Sequence, residues 1–342
     1  MGKLLSRWVV GVVLCWSVQA LAEPVFHNPL VKQRADPQVS LQADGYYYFT
    51  ATVPEYDRIE LRRTRDLDAL GTAETKTVWT KHASGPMSFH IWAPELHRID
   101  GKWYIYFTAG RADAHWDIRL YVLENSSPNP LEGSWTEKGQ LKTEWETFSL
   151  DATTFAHNGQ RYLVWTQRRP EPELKATNIY IAKMDTPTSI TGTPVKLSGP
   201  DYAWEKVKFE VNEAPAVLVR NGKVFITFSA SATDASYSIG LLSADAKADL
   251  LNPASWKKSP EPVFKTSEKN GQYGPGHNSF TTTPDGKTDI LVYHARNYRD
   301  IVGDSLYDPN RHTRAQVIHW RADGMPDFGE PLPDMRVPDS KK

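Results

Sequence analysis

An Asp-Gly or Asn-Gly pair followed closely by an aromatic or β-branched run occurs five times in this chain, and that repeat limits the fold more than any other feature. The pairs are Asp44-Gly45 before residues 46–49, Asp100-Gly101 before 103–107, Asn158-Gly159 before 162–165, Asn221-Gly222 before 224–226 and Asp285-Gly286 before 290–293. They are strong hairpin signals, because the tight turns that match strand twist need positive φ, which Gly, Asn and Asp tolerate. The turn glycines are separated by 56, 58, 63 and 64 residues. That spacing holds four short strands and their loops, one blade of a propeller. Third strands read at 58–62, 117–122, 178–182, 237–242 and 316–320, each followed by a weaker fourth. Helical periodicity is absent, so the chain reads as all-β, a five-bladed β-propeller in a single domain without a linker. Whether residues 25–27 pair with the last blade to close the ring is open at this point.

Residues 1–22 read differently from the rest. Lys3 and Arg7 precede an apolar run at 8–16, and Ala20-Leu21-Ala22 stands before Glu23, the pattern of a signal peptide. Residues 23–342 are then the propeller, secreted or periplasmic. The apolar run is too short for a membrane span, and Cys15, the single cysteine, lies within it, so neither a disulfide nor a lipid anchor is expected. Lys plus Arg number 40 against 41 Asp plus Glu, with no basic block, which removes the electrostatic case for nucleic acid. Twelve Trp and fifteen Tyr suit both sheet packing and the apolar faces of sugars.

Counting back nine residues from each turn glycine, or eight in the third repeat, reaches Asp36, Trp92, Asp151, Glu213 and His277. First strands are innermost in a propeller, so these positions face the axis at one end. Taken singly, Asp36 before Pro37 opens a turn, Asp151 caps a strand and Glu213 is ion-paired scaffolding. Three acids brought together away from water cost free energy and drive their pKa values apart, which a structural role rarely requires. They read as an active site. His277 is either an orienter or ligand of a central calcium or sodium ion, held through water, or a hydrogen-bonded core histidine. The connections from second to third strands return to the same end and carry Tyr56, Trp116 and Arg296; with Trp92 and His90 at the rim, these are the candidate substrate-binding residues. The glycines at 274 and 276 do not lead from a strand into a helix, so a phosphate loop is excluded.

At these residues the chain resembles glycoside hydrolase family 43, between about residues 28 and 331. The landmarks are Arg34-Ala35-Asp36-Pro37, Trp92-Ala93-Pro94-Glu95, Ser149-Leu150-Asp151-Ala152, Asn212-Glu213-Ala214-Pro215, Gly274-Pro275-Gly276-His277-Asn278 and Trp320 with Asp323-Gly324 and Pro326. The resemblance implies a five-bladed propeller that inverts anomeric configuration without a required cofactor, with Asp36 as general base, Glu213 as general acid and Asp151 holding and tuning the acid. Ala214 departs from the Gly that often follows the acid. Segments 53–61 and 307–312 are similar to the exo-acting α-L-arabinofuranosidase branch, which implies release of arabinose from arabinan or arabinoxylan. A β-xylosidase or endo-arabinanase would use the same acids, because substrate choice lives in the loops. A sugar-binding propeller without catalysis is the alternative from another class, and a structural interaction propeller would need no inward acids.

Overall fold

The computed structural model describes residues 23–170 and 175–335. The signal-peptide reading falls on residues 1–22, outside them. Among the described residues there is no α-helix, only strands and three short 3-10 turns.

Blade one is β1 (Ala35–Leu41), β2 (Tyr47–Thr52), β3 (Arg58–Thr64) and β4 (Thr75–Thr80). Blade two is β5 (Phe89–Ile99), β6 (Lys102–Arg111), β7 (Ala114–Asn125) and β8 (Thr136–Gln140). Blade three is β9 (Ser149–His157), β10 (Gln160–Arg168), β11 (Thr177–Thr186) and β12 (Ser189–Ser198), and blade four is β13 (Asn212–Arg220), β14 (Lys223–Ala230), β15 (Ser238–Asp245) and β16 (Lys257–Lys258). Blade five has β17 (Tyr273–Thr282), β18 (Asp289–Arg296) and β19 (His312–Val317), after which β20 (His319–Trp320) pairs with β21 (Pro326–Asp327). Each blade is an antiparallel meander in sequence order.

Two expectations change. The third strand of blade five begins at His312, not Gln316. Its central residue is the fully buried Arg314, whose guanidinium pairs with Asp334 at 2.9 Å and donates to the Ala295 carbonyl at 2.6 Å, so a buried cation conceals the strand in the sequence. Among the described residues no fourth strand follows it in that sheet. Instead the N-terminal segment takes the outer position: Val31 bridges Thr313, and the Asn28 side-chain amide both donates to Ala315 O (2.8 Å) and accepts from Ala315 N (2.9 Å). The ring is thus closed by residues 28–31, just beyond the 25–27 segment. The turns also divide into two kinds. Asp100, Asn158 and Asn221 have φ of 49°, 49° and 52° before glycines at 83°, 76° and 71°, as two-residue loops require. In blades one and five only the glycine is left-handed, and its amide reaches back to Gln42 O or Thr283 O in a longer turn.

The second strands read as unbroken apolar runs because both of their faces are buried. Trp103, Ile105 and Phe107 pack against Tyr48, Ile59 and Leu61 of blade one, while the alternate residues Tyr104 and Tyr106 pack against Leu163, Trp165 and Tyr180 of blade three. Comparable clusters join blades three to four, four to five and five to one. Each side chain of this size stabilises the closed ring by about 1.5–3 kcal/mol. Trp103 is fully buried against the Tyr48 ring at 5.0 Å, so Trp103→Ala is expected to cost about 3–5 kcal/mol.

Candidate active site

At the start of every first strand the pairing slips by one residue. Ala35 pairs with Thr52 and then Gln38 with Thr50; the same step separates Trp92–Thr108 from Glu95–Tyr106, Leu150–Thr166 from Thr153–Val164, Glu213–Ser229 from Ala216–Thr227 and Gly276–His294 from Ser279–Val292. These are β-bulges, which re-aim side chains. A left-handed residue sits in each: Asp36 (φ 53°), Ala93 (44°), Asp151 (54°), Ala214 (54°) and His277 (41°). Trp92 and Glu213 therefore stand one residue before the position they were counted to. The bulge still brings the set together, because Asp36, Trp92, Asp151, Glu213 and His277 all line one cavity of about 420 Å³ at the end of the channel.

The bulges are tied from blade to blade. The Asp36 amide donates to His294 Nδ1 (3.0 Å), that of Ala93 to Thr52 Oγ1 (2.7 Å), that of Asp151 to Thr108 Oγ1 (3.1 Å) and that of His277 to Ser229 Oγ (2.8 Å). Each acceptor lies on the second strand of the preceding blade. The Ala214 amide differs and donates to Asp151 Oδ2 at 3.0 Å.

Asp36 is nearly enclosed and surrounded by nitrogen. Arg311 Nη1 and His277 Nδ1 each lie 3.2 Å from its Oδ1. Burial alone would raise its pKa, but Arg311 and then His277 outweigh it and hold the carboxyl well below the usual carboxylate range. His277 is correspondingly held up at about 9 against its own burial, by Asp36 first and Asp151 next, while burial keeps His294 neutral, down to about 3. The neutral His294 accepts from the Asp36 amide through Nδ1, so its proton is on Nε2.

Glu213 is half-buried, open to the cavity, and accepts from the Tyr237 hydroxyl at 2.7 Å. Gly276 permits this: a Cβ there would lie 2.2 Å from the Tyr237 ring. Burial raises the Glu213 pKa and the charge of Asp36 adds to it, against the Tyr237 bond. Burial lifts Asp151 to about 8, helped by Glu213. The two carboxyls titrate as a coupled pair, both pushed up by burial.

The candidate rim residues divide. Trp92 and the exposed Trp116 line the cavity, together with Phe148, Leu150, Phe209 and Leu306. His90 and Tyr56 do not line it. His90 stacks on Trp92 with ring centroids 4.1 Å apart, and Tyr56 packs edge-on against Trp92 and accepts from Arg311 Nη2 at 3.1 Å. Arg296 is buried away from the cavity wall, bonded to Asp308, Thr233 O and Ser305 O, where it anchors the connection between β18 and β19. Sequence reasoning missed Arg311, His294 and Tyr237. His277 Nδ1 is taken up by Asp36, and among the described residues no three His, Cys, Asp or Glu side chains converge as a directly ligated ion requires.

The profile of Glycosyl hydrolases family 43 matches residues 26–326. The chain is similar to the "Extracellular exo-alpha-(1->5)-L-arabinofuranosidase" of Streptomyces avermitilis, with 62% identity over 92% of this chain and 65% of that protein. It is also similar to "Alpha-L-arabinofuranosidase 43" of Humicola insolens, with 53% identity over 93% of this chain and 66% of that one. The chain thus spans about two thirds of the length of these curated relatives. The solved alpha-L-arabinofuranosidase of Lactobacillus brevis superposes with a TM-score of 0.88 at 50% identity, covering 91% of this chain and 98% of that one.

Proposed function

Because the chain belongs to glycosyl hydrolase family 43, we propose that it is an inverting, exo-acting α-L-arabinofuranosidase that releases arabinose from arabinan or arabinoxylan. Relatives that carry the arabinofuranosidase name at 50% identity or more support the sugar. The observation that carries the chemistry is the opposite setting of two carboxyls on one cavity: Asp36 lies against Arg311 and His277, whose charges push its pKa down, and Glu213 meets the Tyr237 hydroxyl, with burial pushing its pKa up.

In this reading Asp36 takes a proton from water as the water attacks the anomeric carbon, and Glu213 gives its proton to the departing oxygen. The two carboxyls then stand roughly 6.5–9.5 Å apart, with room for that water. Asp151 fixes the strand beyond the acid through the Ala214 amide, and Trp92, Trp116 and Phe209 offer apolar faces to the sugars. Export completes the proposal, in keeping with the extracellular relative. Among the described residues no helix is long and apolar enough to cross a membrane. A calcium or sodium ion held in the channel through water is a separate part of the proposal. A melting temperature lowered by a chelator, or by replacing sodium with a large organic cation, supports it, and a melting temperature unchanged by both removes it.

Proton NMR of the first product formed from arabino-oligosaccharides and xylo-oligosaccharides side by side tests the function. Inverted arabinose from the arabinan substrate is expected. Retained configuration overturns the inverting assignment, and release of xylose alone overturns the sugar.

A further inference from the structure

Four of the five bulge amides bond to a side chain on the second strand of the preceding blade, and the acceptors occupy one equivalent position: Thr52, Thr108, Ser229 and His294. The fifth residue at that position is Thr166. It pairs with Leu150 as Thr108 pairs with Trp92 and Ser229 with Glu213, and its strand β10 lies against β13. Thr166 is fully buried, and among the described residues its Oγ1 has no hydrogen-bond partner. The amide it should serve, that of Ala214, is held by Asp151. A buried hydroxyl without a partner is destabilising relative to a methyl of the same shape.

Blade one shows what decides between the two acceptors. Asp36 has the same relation to the Ala93 amide that Asp151 has to Ala214, yet its carboxylate is occupied by Arg311 and His277, and the Ala93 amide goes to the Thr52 hydroxyl. Where the carboxylate is engaged elsewhere, the hydroxyl takes the amide. We infer that Thr166 is a positioning residue for Glu213, a second acceptor that holds the Ala214 amide whenever Asp151 releases it. This rests on the reading of Glu213 as the acid. The residue after the acid then keeps its left-handed conformation in either case, and the Glu213 carboxyl stays aimed at the leaving oxygen.

The test is a cycle over Thr166→Val and Asp151→Gly. Residue 151 has φ of 54°, so glycine removes the carboxylate without backbone strain. Amide exchange at Ala214, followed by NMR without substrate, is expected to stay slow in the parent and both single variants and to become fast only in the double variant. In kcat/KM on an arabino-oligosaccharide, Thr166→Val is expected to cost about two-fold in the parent and more than about ten-fold with Asp151→Gly, because coupled sites depart from additivity. Thr166→Ser retains the hydroxyl and should match the parent in both backgrounds. On an aryl arabinofuranoside, whose leaving group needs little protonation, the excess loss should vanish. Fast exchange in Asp151→Gly alone, or one fixed cost of Thr166→Val in both backgrounds, would overturn the inference. If the glycine variant does not fold, Asp151→Asn weakens the competing acceptor and must give the same order. A wrong acid assignment would remove the difference between the two substrates and leave the exchange result intact, so the two failures are distinguishable.

Discussion

Asp36 and Glu213 occupy nearly the same place in blades one and four, each on a first-strand bulge at the mouth of one channel, yet their surroundings are opposite. Asp36 has a guanidinium and a protonated imidazole on its oxygen, whereas Glu213 has a phenol and shares its space with another buried acid. The fold supplies the position; the second ring of side chains decides whether the carboxyl keeps its proton. In the proposed reading, adjacent positions of the same bulge then serve as base in one blade and acid in another.

The largest effects should come from erasing either side of that contrast. Asp36→Asn and Glu213→Gln are each expected to cost about 10²–10⁴ in kcat on a sugar-linked substrate, measured on protein that remains folded, since Asp36→Asn also leaves Arg311 and His277 without their carboxylate. Next is Arg311→Met, which removes the first cation from Asp36. The Asp36 pKa should rise and the acidic limb of kcat/KM should move to higher pH; an unmoved limb would mean that Arg311 does not set the base. The same variant should lose about 3–5 kcal/mol in denaturant unfolding, because a buried charge loses its partner.

Stability should fall as pH rises from 6.5 to 9. Asp151, held up at about 8, favours its neutral form in the folded protein, so its contribution declines from about pH 4 to 8; the charge on His277 stabilises fully below its ordinary value of 6.5 and is lost through about 9. Asp151→Asn should flatten the decline in melting temperature below pH 8 and leave the part above it. The smallest effect is expected from Tyr237→Phe. Its hydroxyl favours the charged form of Glu213, so its loss should move the basic limb to higher pH while kcat falls only several-fold, in keeping with one hydrogen bond of about 1 kcal/mol.

The five blades and the convergence of Asp36, Trp92, Asp151, Glu213 and His277 were legible because hairpin turns recur with a nearly constant offset to the inner strand. The offset is not constant enough to place Trp92 and Glu213, since a bulge adds a residue that leaves no mark: Ala93 and Ala214 adopt positive φ with an ordinary side chain. The tether leaves a periodic mark as well, one that sequence reasoning missed. A hydroxyl stands seven residues after four turn glycines, at Thr52, Thr108, Thr166 and Ser229, while His294 stands eight after Gly286. Arg311 leaves no such mark, because it reaches Asp36 from across 275 residues of chain on the long connection into β19. Loop cations carry no period.

The dependence of rate on leaving-group pKa, measured for the parent, Asp36→Asn and Glu213→Gln on a series of aryl arabinofuranosides, tests the division of roles most directly. A general acid matters only as far as the departing oxygen needs its proton. Glu213→Gln should make the dependence steep, nearly recovering on the most acidic phenols, and Asp36→Asn should stay as shallow as the parent with a uniform loss. Equal slopes in the two variants, or a steep slope in Asp36→Asn, would contradict the assignment of Glu213 as acid and Asp36 as base.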